Sequence, residues 1–299
     1  MIPKTIEDVV GPVDWVRDGM GYITCPGDER HSQPSKPRDC ALYLDKVPTI
    51  FCLHTQCKSE IKAANVNLRD ALRGNAWKPK QLTSEDKERI WLRQDMERQA
   101  RRLARNKEWV LESYRWPLSD IVADSAPVSD EWHQFLNIWK EGDTMWCGEP
   151  THSGQFAHSD HFRTMGIWKG HNVTPHHYVC GSAFRSGSYS RTKDSLAARR
   201  FLVVECDTLH ENPVINKDLS GAVLNYTRQQ GWTLRAIIDS GNKSIHGWFD
   251  YPGEEQERWA TIVLPALGVD TATLRATQPV RAPGIARENG QLQKLIWIK

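Results

Sequence analysis

The chain has 299 residues, with 39 Lys and Arg against 37 Asp and Glu, so its formal net charge at pH 7 is only +2. Hydrophobic residues make up 39% and the mean hydropathy is −0.59. These values exclude a protein that is basic throughout, and no apolar run approaches the ~18 residues that span a bilayer. Met1 is not followed by the apolar core of a signal peptide, so we expect a cytoplasmic protein with reduced cysteines and no membrane partner.

Four of the seven cysteines fall within the first sixty residues. Two pairs of residues there have the spacing of a tetrahedral Cys3His zinc site, namely Cys25 and His31, then Cys52 and Cys57. Cys40 and His54 lie close by, and the sequence alone does not decide whether either replaces a proposed ligand. A segment this short and polar has little core of its own, so bound zinc would supply much of its folding free energy. We therefore predict a zinc-binding module over residues 1–65.

Residues 66–130 are predicted to form a helical connector. Acidic residues follow Ser84 and arginines come later, which favours a helix from Ser84 to about Arg115. From Trp77 to Lys107 there are ten Lys and Arg against five Asp and Glu, a local net charge of +5. This basic face is either a solvated connecting helix, which we favour, or a contact to a DNA backbone. Residues 117–130 are expected to be an irregular linker.

Residues 131–299 are predicted to be an α+β domain with a mostly antiparallel sheet. Phe201 to Val204 is an apolar, β-branched run, which indicates a buried strand. Because side chains alternate along a strand, Glu205 and Asp207 point to the same side. Two carboxylates there repel each other unless a cation lies between them, and such hard ligands suit Mg²⁺ or Mn²⁺.

A second motif follows a predicted turn at Ser240-Gly241. The next strand carries Ser244 and His246 on one face, with Lys243 directly before it. A hydroxyl, an imidazole and an ammonium in this arrangement are suited to binding a phosphate. Six histidines between residues 150 and 180 have no diagnostic spacing, and we assign them to loops.

Two further motifs complete the set. An amphipathic helix from Glu254 to Leu267, shortened or kinked by Pro265, leaves Asp270 free to point back at the sheet as a third carboxylate. Arg281 and Arg287 flank Pro283-Gly284. Paired guanidinium groups beside a metal site commonly hold phosphates, although isolated arginines more often form surface ion pairs.

The order Glu-x-Asp, Ser-Gly-x-x-Ser-x-His, Gly-x-Asp and Arg-x-Pro-Gly resembles the catalytic core of the archaeo-eukaryotic primase superfamily. It is most similar to the bacterial, phage and plasmid branch of primase-polymerases, over about residues 145–299. The first motif of that family often begins with Asp, where this chain has Glu205. The N-terminal cysteine pattern is similar to the zinc modules of phage and bacterial primases, which engage template DNA.

The resemblance implies a DNA-dependent primase or primase-polymerase that joins nucleoside triphosphates on a single-stranded DNA template by two-metal-ion nucleotidyl transfer. It implies that Glu205, Asp207 and Asp270 hold Mg²⁺ or Mn²⁺ and that His246 contacts the nucleotide. Further phosphate or nucleotide contacts would come from Ser240, Lys243, Ser244, Arg281, Arg287 and, in the basic turn before the first motif, Arg191. A replicative helicase, fused or separate, is an expected partner in phage, plasmid or mobile-element replication.

Two other functions fit part of the pattern. The first is a zinc-dependent DNA-binding or replication-initiation module with a vestigial nucleotide site, which would bind DNA without synthesis. The second is a Toprim-type primase, which also follows a zinc module and uses a Glu followed by an Asp pair. Asp239-Ser240-Gly241 lacks the second Asp of that pair, so the Toprim alternative is disfavoured.

Overall fold

The computed structural model divides the chain into two compact units, the first ending at Asp95 and the second beginning at Met96. The residues that it describes are 6–33, 36–72, 82–149, 161–170 and 173–299. The sequence predicted three parts, with boundaries after residues 65 and 130. The segment predicted as a connector contributes to the cores of both units, since Leu68 is buried in the first and Val110 and Ile121 are buried in the second.

The first unit contains a four-stranded antiparallel sheet with the strand order β1-β2-β3-β4. Its strands are β1 (Val13–Arg17), β2 (Met20–Ile23), β3 (Cys40–Tyr43) and β4 (Thr49–Cys52). Helix α1 spans Glu7–Val10 and α2 spans Lys58–Leu72. One face of the sheet contributes Trp15, Leu42 and Ile50 to a core that includes Leu68 of α2. The other face is open at Tyr43 and Phe51, which are 39% and 54% exposed.

The helical segment that follows differs from its prediction in two places. Helix α3 spans Ser84–Arg105 and α4 spans Lys107–Ser113. A continuous helix to Arg115 was wrong, because the backbone leaves helical geometry at Asn106 (φ −106°, ψ 16°). The linker predicted from residue 117 was also wrong in part, since α5 forms over Leu118–Ala123. Ile121 of this helix is completely buried, so apolar burial holds it in place.

The second unit has two antiparallel sheets. The first has the order β13-β14-β10-β11-β9, and the second has the order β12-β7-β5-β6 with β8 paired to β7. The first-sheet strands are β9 (Phe201–Glu205), β10 (Leu234–Asp239), β11 (Ile245–Asp250), β13 (Ile285–Ala286) and β14 (Leu292–Ile298). The second-sheet strands are β5 (Thr144–Gly148), β6 (Phe162–Thr164), β7 (Tyr178–Phe184), β8 (Leu196–Arg199) and β12 (Pro279–Arg281).

Among the described residues of this unit, four more helices form: α6 (Glu131–Leu136), α7 (Met165–Trp168), α8 (Pro213–Gln229) and α9 (Glu254–Val263). Pro265 lies in a 3-10 turn over Leu264–Leu267, so the α-helix is shortened as predicted. The fold is therefore mixed α and β with antiparallel sheets, which confirms the predicted fold class at that level.

The first sheet of the second unit separates two cores. Ile245 and Phe249 of β11 are buried with apolar residues of α8 and α9. Trp248 and Val203 are buried on the opposite face, together with Met145 and Val179 of the second sheet. This alternation matches the predicted faces of β11, and it places His246 and Glu205 on the side that faces the second sheet.

Within the described ranges, no helix combines the length and the apolar character that crossing a membrane requires.

Candidate functional site

Four predicted zinc ligands meet in the first unit. The ligand atoms of Cys25, His31, Cys52 and Cys57 all lie within 4.8 Å of one another. Cys25 follows β2, a 3-10 turn over Asp28–Arg30 precedes His31, Cys52 ends β4, and Cys57 directly precedes α2. In the described part of the chain, this is the only group of three or more His, Cys, Asp or Glu residues that converges so closely. Three thiols and an imidazole at this separation are compatible with tetrahedral zinc binding.

The surroundings of the cluster orient its ligands. Asp28 Oδ1 lies 3.2 Å from His31 Nδ1, while His31 Nε2 faces Cys52 Sγ at 3.8 Å. A carboxylate on the outer nitrogen commonly fixes the orientation of a metal-binding histidine. Gly27 lets the two halves of the cluster approach, because a Cβ there would lie 2.5 Å from the Cβ of Cys57. Burial raises the pKa of Cys57 to about 12, as expected for a thiol in a buried position.

Cys40 and His54, the alternative ligands, adjoin the cluster without belonging to it. Cys40 is opposite Cys52 in the β3–β4 pair, and burial raises its pKa to about 12. His54 Nδ1 lies 3.5 Å from Cys52 Sγ, and the His54 and His31 ring centroids are 4.0 Å apart. Burial alone would raise the pKa of Cys52, but the His54 backbone and ring interactions lower it overall. The geometry therefore favours Cys25, His31, Cys52 and Cys57 as the ligand set.

A second candidate site lies in the second unit, where the two sheets meet. A cavity of about 280 Å³ is lined by residues from all four predicted motifs. The predicted residues that line it are Glu205, Asp207, Ser240, Lys243, Ser244, His246, Asp270, Arg281 and Arg287. The structure thus brings nine of the ten residues predicted for nucleotide and Mg²⁺ or Mn²⁺ binding to one place.

Strand pairing and one backbone hydrogen bond explain why the motifs meet. Strands β9 and β11 are antiparallel neighbours, and His246 is directly opposite Glu205. The Asp270 N–H donates to the Glu205 carbonyl oxygen at 2.9 Å, which holds the third motif against the end of β9. Strand β12 ends with Arg281 in the facing sheet, and Arg287 follows β13.

Two neighbouring side chains contact the Glu205 carboxylate. Ser244 Oγ donates to Glu205 Oε1 at 2.5 Å, and His246 Nε2 lies 3.0 Å from the same oxygen. The His246 contact is close enough for an ion pair but does not have the angles of a hydrogen bond. Burial would raise the pKa of Glu205, but His246 first, then Ser244 and Arg281, lower it to about 2. Glu205 is therefore an anion at neutral pH.

The three carboxylates line one cavity but do not form a converging group like that of the cysteines. One oxygen of Glu205 already accepts from Ser244, and Asp270 Oδ1 accepts from the Ala272 N–H at 2.8 Å. The donor set nevertheless suits Mg²⁺ or Mn²⁺, which bind through one or two carboxylates together with substrate phosphates. His246 is 2% exposed, and its Nδ1 has no hydrogen-bond partner among the described residues.

The turn between β10 and β11 packs closely against the backbone at Leu292. Ser240 Oγ donates to the Ser244 carbonyl oxygen at 2.8 Å, and Arg287 Nη1 donates to the Ser240 carbonyl oxygen at 3.2 Å. Gly241 has φ +70°, and a Cβ there would lie 2.7 Å from the Leu292 carbonyl oxygen. Both the left-handed backbone and the lack of space require glycine. The turn therefore holds Lys243 and Ser244 at the rim of the cavity.

Arg281 and Arg287 also line a neighbouring cavity of about 510 Å³. The Arg281 guanidinium lies 4.1 Å from the ring centroid of Tyr178, and burial, with the repulsion of Arg287, lowers the pKa of Arg281. His177 lines this second cavity, with Nδ1 2.6 Å from Glu149 Oε1 and Nε2 3.0 Å from the Ala286 carbonyl oxygen. No spacing in the sequence distinguished His177 from the other histidines of this region. His152, His158 and His171 lie outside the described residues.

Arg191, the tenth predicted residue, does not line the cavity. Its Cζ lies 4.2 Å from the ring centroid of Trp146, and its Nη1 donates to the Thr277 carbonyl oxygen at 3.1 Å. Thr277 directly precedes Gln278 and Pro279, which do line the cavity. The prediction of a direct phosphate contact is corrected, because the guanidinium is held against an aromatic ring and supports the segment before β12.

Sequence reasoning missed Asn216, in the unpredicted helix α8. Its side chain is fully buried and donates to the carbonyl oxygens of Cys206 and Lys243, both at 2.9 Å. Its Oδ1 accepts from the His210 N–H at 2.9 Å. Asn216 therefore ties the segment after β9 to the turn before β11. The helix had a start signal, Asn212 followed by Pro213, and Asn212 does cap it.

Comparison with protein-family models, curated proteins and solved structures found no match for this chain. Its function is therefore inferred from its own residues and their geometry.

Proposed function

We propose that the chain is a template-directed nucleotidyltransferase, a DNA primase or primase-polymerase of the archaeo-eukaryotic type. The observation that carries this proposal is the meeting of residues from four separate motifs at one cavity. Carboxylates, hydroxyls, an imidazole, an ammonium and two guanidiniums face the same space. This combination suits a nucleoside triphosphate together with the divalent cations that accompany it.

The basic side of the cavity would bind the triphosphate. Arg281, Arg287 and Lys243 supply positive charge around one opening, and fixed guanidinium groups bind phosphate oxygens in pairs. The buried His246 Nδ1 has no partner among the described residues, and buried polar atoms are nearly always hydrogen-bonded. A phosphate oxygen of the incoming nucleotide would supply that partner.

The acidic side would hold the cations. Glu205, whose pKa is about 2, stays ionised at any working pH, and Asp207 and Asp270 add carboxylate ligands. Divalent cations bound there would lower the pKa of the attacking 3′-hydroxyl and neutralise charge on the departing pyrophosphate. The protein would contribute alignment, because Ser244 and His246 fix Glu205 while the arginines fix the phosphates.

A second substrate must lie beside the first in any such reaction. The neighbouring cavity shares Tyr178, Arg281 and Arg287 with the first, so a ligand there would lie next to the bound triphosphate. We assign it to the primer terminus or the initiating nucleotide.

The open face of the zinc-module sheet would bind the single-stranded template. Register places Tyr22, Ala41 and Phe51 side by side across β2, β3 and β4, and Tyr43 shares their face. Arg38 Cζ lies 5.8 Å from the ring centroid of Tyr22. Exposed aromatic rings beside a cation stack on bases regardless of sequence, at about 1–3 kcal/mol per base.

The test is incorporation of labelled nucleotides on single-stranded DNA with Mg²⁺ or Mn²⁺. Asp207→Ala should lower synthesis at least a hundredfold, while Asp194→Ala, which removes an exposed acid outside the cavity, should leave it within twofold. Synthesis that survives Asp207→Ala would disprove the assigned catalytic site.

One observation favours a second function, a zinc-dependent DNA-binding or replication-initiation module with a vestigial nucleotide site. The carboxylates do not converge, and one oxygen of Glu205 is engaged by Ser244. This alternative predicts DNA binding that Phe51→Ala weakens, with no incorporation by the wild-type chain under any divalent cation. The same two assays therefore separate the two functions.

A further inference from the structure

A further cavity of the second unit lies at the opposite end of the first sheet from the candidate catalytic cavity. Along the β9–β11 pair, His246 is opposite Glu205 at one end and Asp250 is opposite Phe201 at the other. Four residue steps at about 3.3 Å each separate the two ends by roughly 13 Å. The cavity measures about 700 Å³, and its polar lining includes Lys140, Arg199, Arg200, Arg235, Tyr251 and Lys299.

Three of these cations are held in fixed positions by carboxylates. Arg200 donates through Nε and Nη2 to Asp143 at 2.6–2.9 Å, and Arg235 donates through the same atoms to Asp250 at 2.9 and 2.6 Å. Arg199 is paired with Glu257. Pairing with a carboxylate orders a guanidinium in advance, so less entropy is lost when it binds a further anion.

The two remaining cations of the cavity, Lys140 and Lys299, have no carboxylate partner among the described residues. Both lysines are exposed. Counted over side chains alone, five cations thus face three carboxylates, those of Asp143, Asp250 and Glu257, an excess of two positive side chains. A concave surface with such an excess attracts anions.

The walls add an apolar and aromatic surface to this charge. Tyr251 lines the cavity, its ring lying 5.1 Å from the Arg199 guanidinium, and Ile138 and Phe201 also line it. A volume of about 700 Å³ lies within the range of roughly 300–1,000 Å³ that is usual for small-molecule sites.

We propose that this cavity binds a phosphorylated small molecule of nucleotide size. Its phosphates would contact Lys140, Arg200 and Arg235, and its ring would lie against Tyr251. The site is separate from the candidate catalytic cavity and does not depend on nucleotidyl transfer, because the two share no lining residue.

Binding by the full chain tests the proposal, with ATP and inorganic tripolyphosphate as probes in equilibrium dialysis without divalent cations. Lys140→Glu and Lys299→Glu should each weaken binding of both probes to this site at least tenfold. Lys193→Glu, which reverses an exposed lysine outside both cavities, should leave affinity within twofold. Photo-crosslinking with 8-azido-ATP should label the peptide that contains Tyr251 in the wild type and not in Lys140→Glu.

A chain carrying Arg281→Ala and Arg287→Ala isolates this site from the other, and it should retain the label at Tyr251. Unchanged binding in both lysine variants, or loss of that label in the arginine variant, would overturn the proposal. A short DNA oligonucleotide forms the third arm of the experiment. If Lys140→Glu weakens only oligonucleotide binding, the phosphate belongs to a strand and the assignment of a small molecule is wrong. Far-ultraviolet circular dichroism confirms that each variant is folded.

Discussion

Replacing Asn216 by alanine tests whether a buried amide positions the candidate catalytic cavity. The change removes three hydrogen bonds of 2.9 Å, two donated to the Cys206 and Lys243 carbonyl oxygens and one accepted from the His210 N–H. The Cys206 carbonyl keeps the Ser220 hydroxyl as a donor at 2.9 Å. Two backbone groups therefore lose their partner, at about 1–3 kcal/mol each when buried. Because His210 and Lys243 are not fully buried, we expect a loss of about 2 kcal/mol in the free energy of unfolding.

Asn225→Ala is the matched control. Asn225 lies on the same helix and donates to the Tyr114 carbonyl oxygen at 3.0 Å, and it does not line the cavity. We expect it to cost about 1 kcal/mol of stability and to leave nucleotide binding unchanged. Asn216→Ala should also weaken triphosphate binding roughly tenfold, because Lys243 loses its tether to the segment after β9.

Asn216→Asp sharpens the comparison. Its carboxylate still accepts from His210 but cannot donate to the two carbonyl oxygens, so it should be at least as harmful as alanine. Urea denaturation followed by tryptophan fluorescence gives the stability, and dialysis with a labelled triphosphate gives the affinity. Equal triphosphate affinity in Asn216→Ala and Asn225→Ala would refute the positioning role, whatever the two changes do to stability.

Three further predictions concern the zinc cluster, a turn and an alkaline transition. Metal analysis should find one zinc per chain in the wild type and in the control Cys180→Ser, and less than a tenth of that in Cys57→Ser. A chelator should unfold the first unit. A full zinc content in Cys57→Ser would count against Cys57 as a ligand. Gly241→Ala should cost roughly 1–3 kcal/mol more than Gly290→Ala. Both glycines have positive φ, but only Gly241 lacks space for a Cβ, so equal denaturation midpoints would contradict this explanation. Burial, and then the Glu257 hydrogen bond, raise the pKa of Tyr251 to about 12. The fold therefore favours the neutral phenol, and the stability that Tyr251 contributes is present below pH 10, the usual tyrosine pKa, and is lost as the pH rises towards 12. Urea midpoints of wild type should fall relative to those of Tyr251→Phe across this range, and parallel curves would disprove the shift.

The sequence predicted correctly those features that depend on residues nearby in the chain or on a repeating pattern. The alternation along β11 placed Ser244 and His246 on one face and Ile245 on the other because strand geometry depends only on sequence parity. The cysteine spacing predicted which four residues would converge for a similar reason, since each pair lies within one short segment. Only the coordinates favour the four predicted ligands over Cys40 and His54, because all six side chains lie close together.

The failures share a physical cause, which is dependence on partners far along the chain. Arg191 follows a basic glycine-serine turn, and nothing near it indicates that Trp146 would receive its guanidinium. Asn216 carries no local signal, because two of its partners are backbone carbonyls 10 and 27 residues away. The break at Asn106 replaces a continuous helix although the residues on both sides favour helix. For Arg191 and Asn216, the deciding contacts are tertiary and lie outside any local pattern.

The two candidate metal sites differ in how far their ligands are organised before a cation arrives. The ligand atoms of the four predicted zinc ligands lie within 4.8 Å of one another, whereas Glu205, Asp207 and Asp270 do not form such a group. A cation at the carboxylates must compete with the Ser244 hydroxyl for Glu205 Oε1, at 2.5 Å, and needs additional oxygen ligands. Triphosphate oxygens held by Arg281 and Arg287 would supply them.

The carboxylate site should therefore bind Mn²⁺ weakly alone and at least tenfold more tightly when a non-hydrolysable triphosphate is present. Water-proton relaxation measures bound Mn²⁺. The signal of Asp207→Ala serves as the background, because it contains the Mn²⁺ that the triphosphate binds by itself. By linkage, Mn²⁺ must then raise triphosphate affinity by the same factor. Tight Mn²⁺ binding without triphosphate, or identical enhancement in Asp207→Ala, would mean that the carboxylates and the phosphate-binding arginines do not form one site.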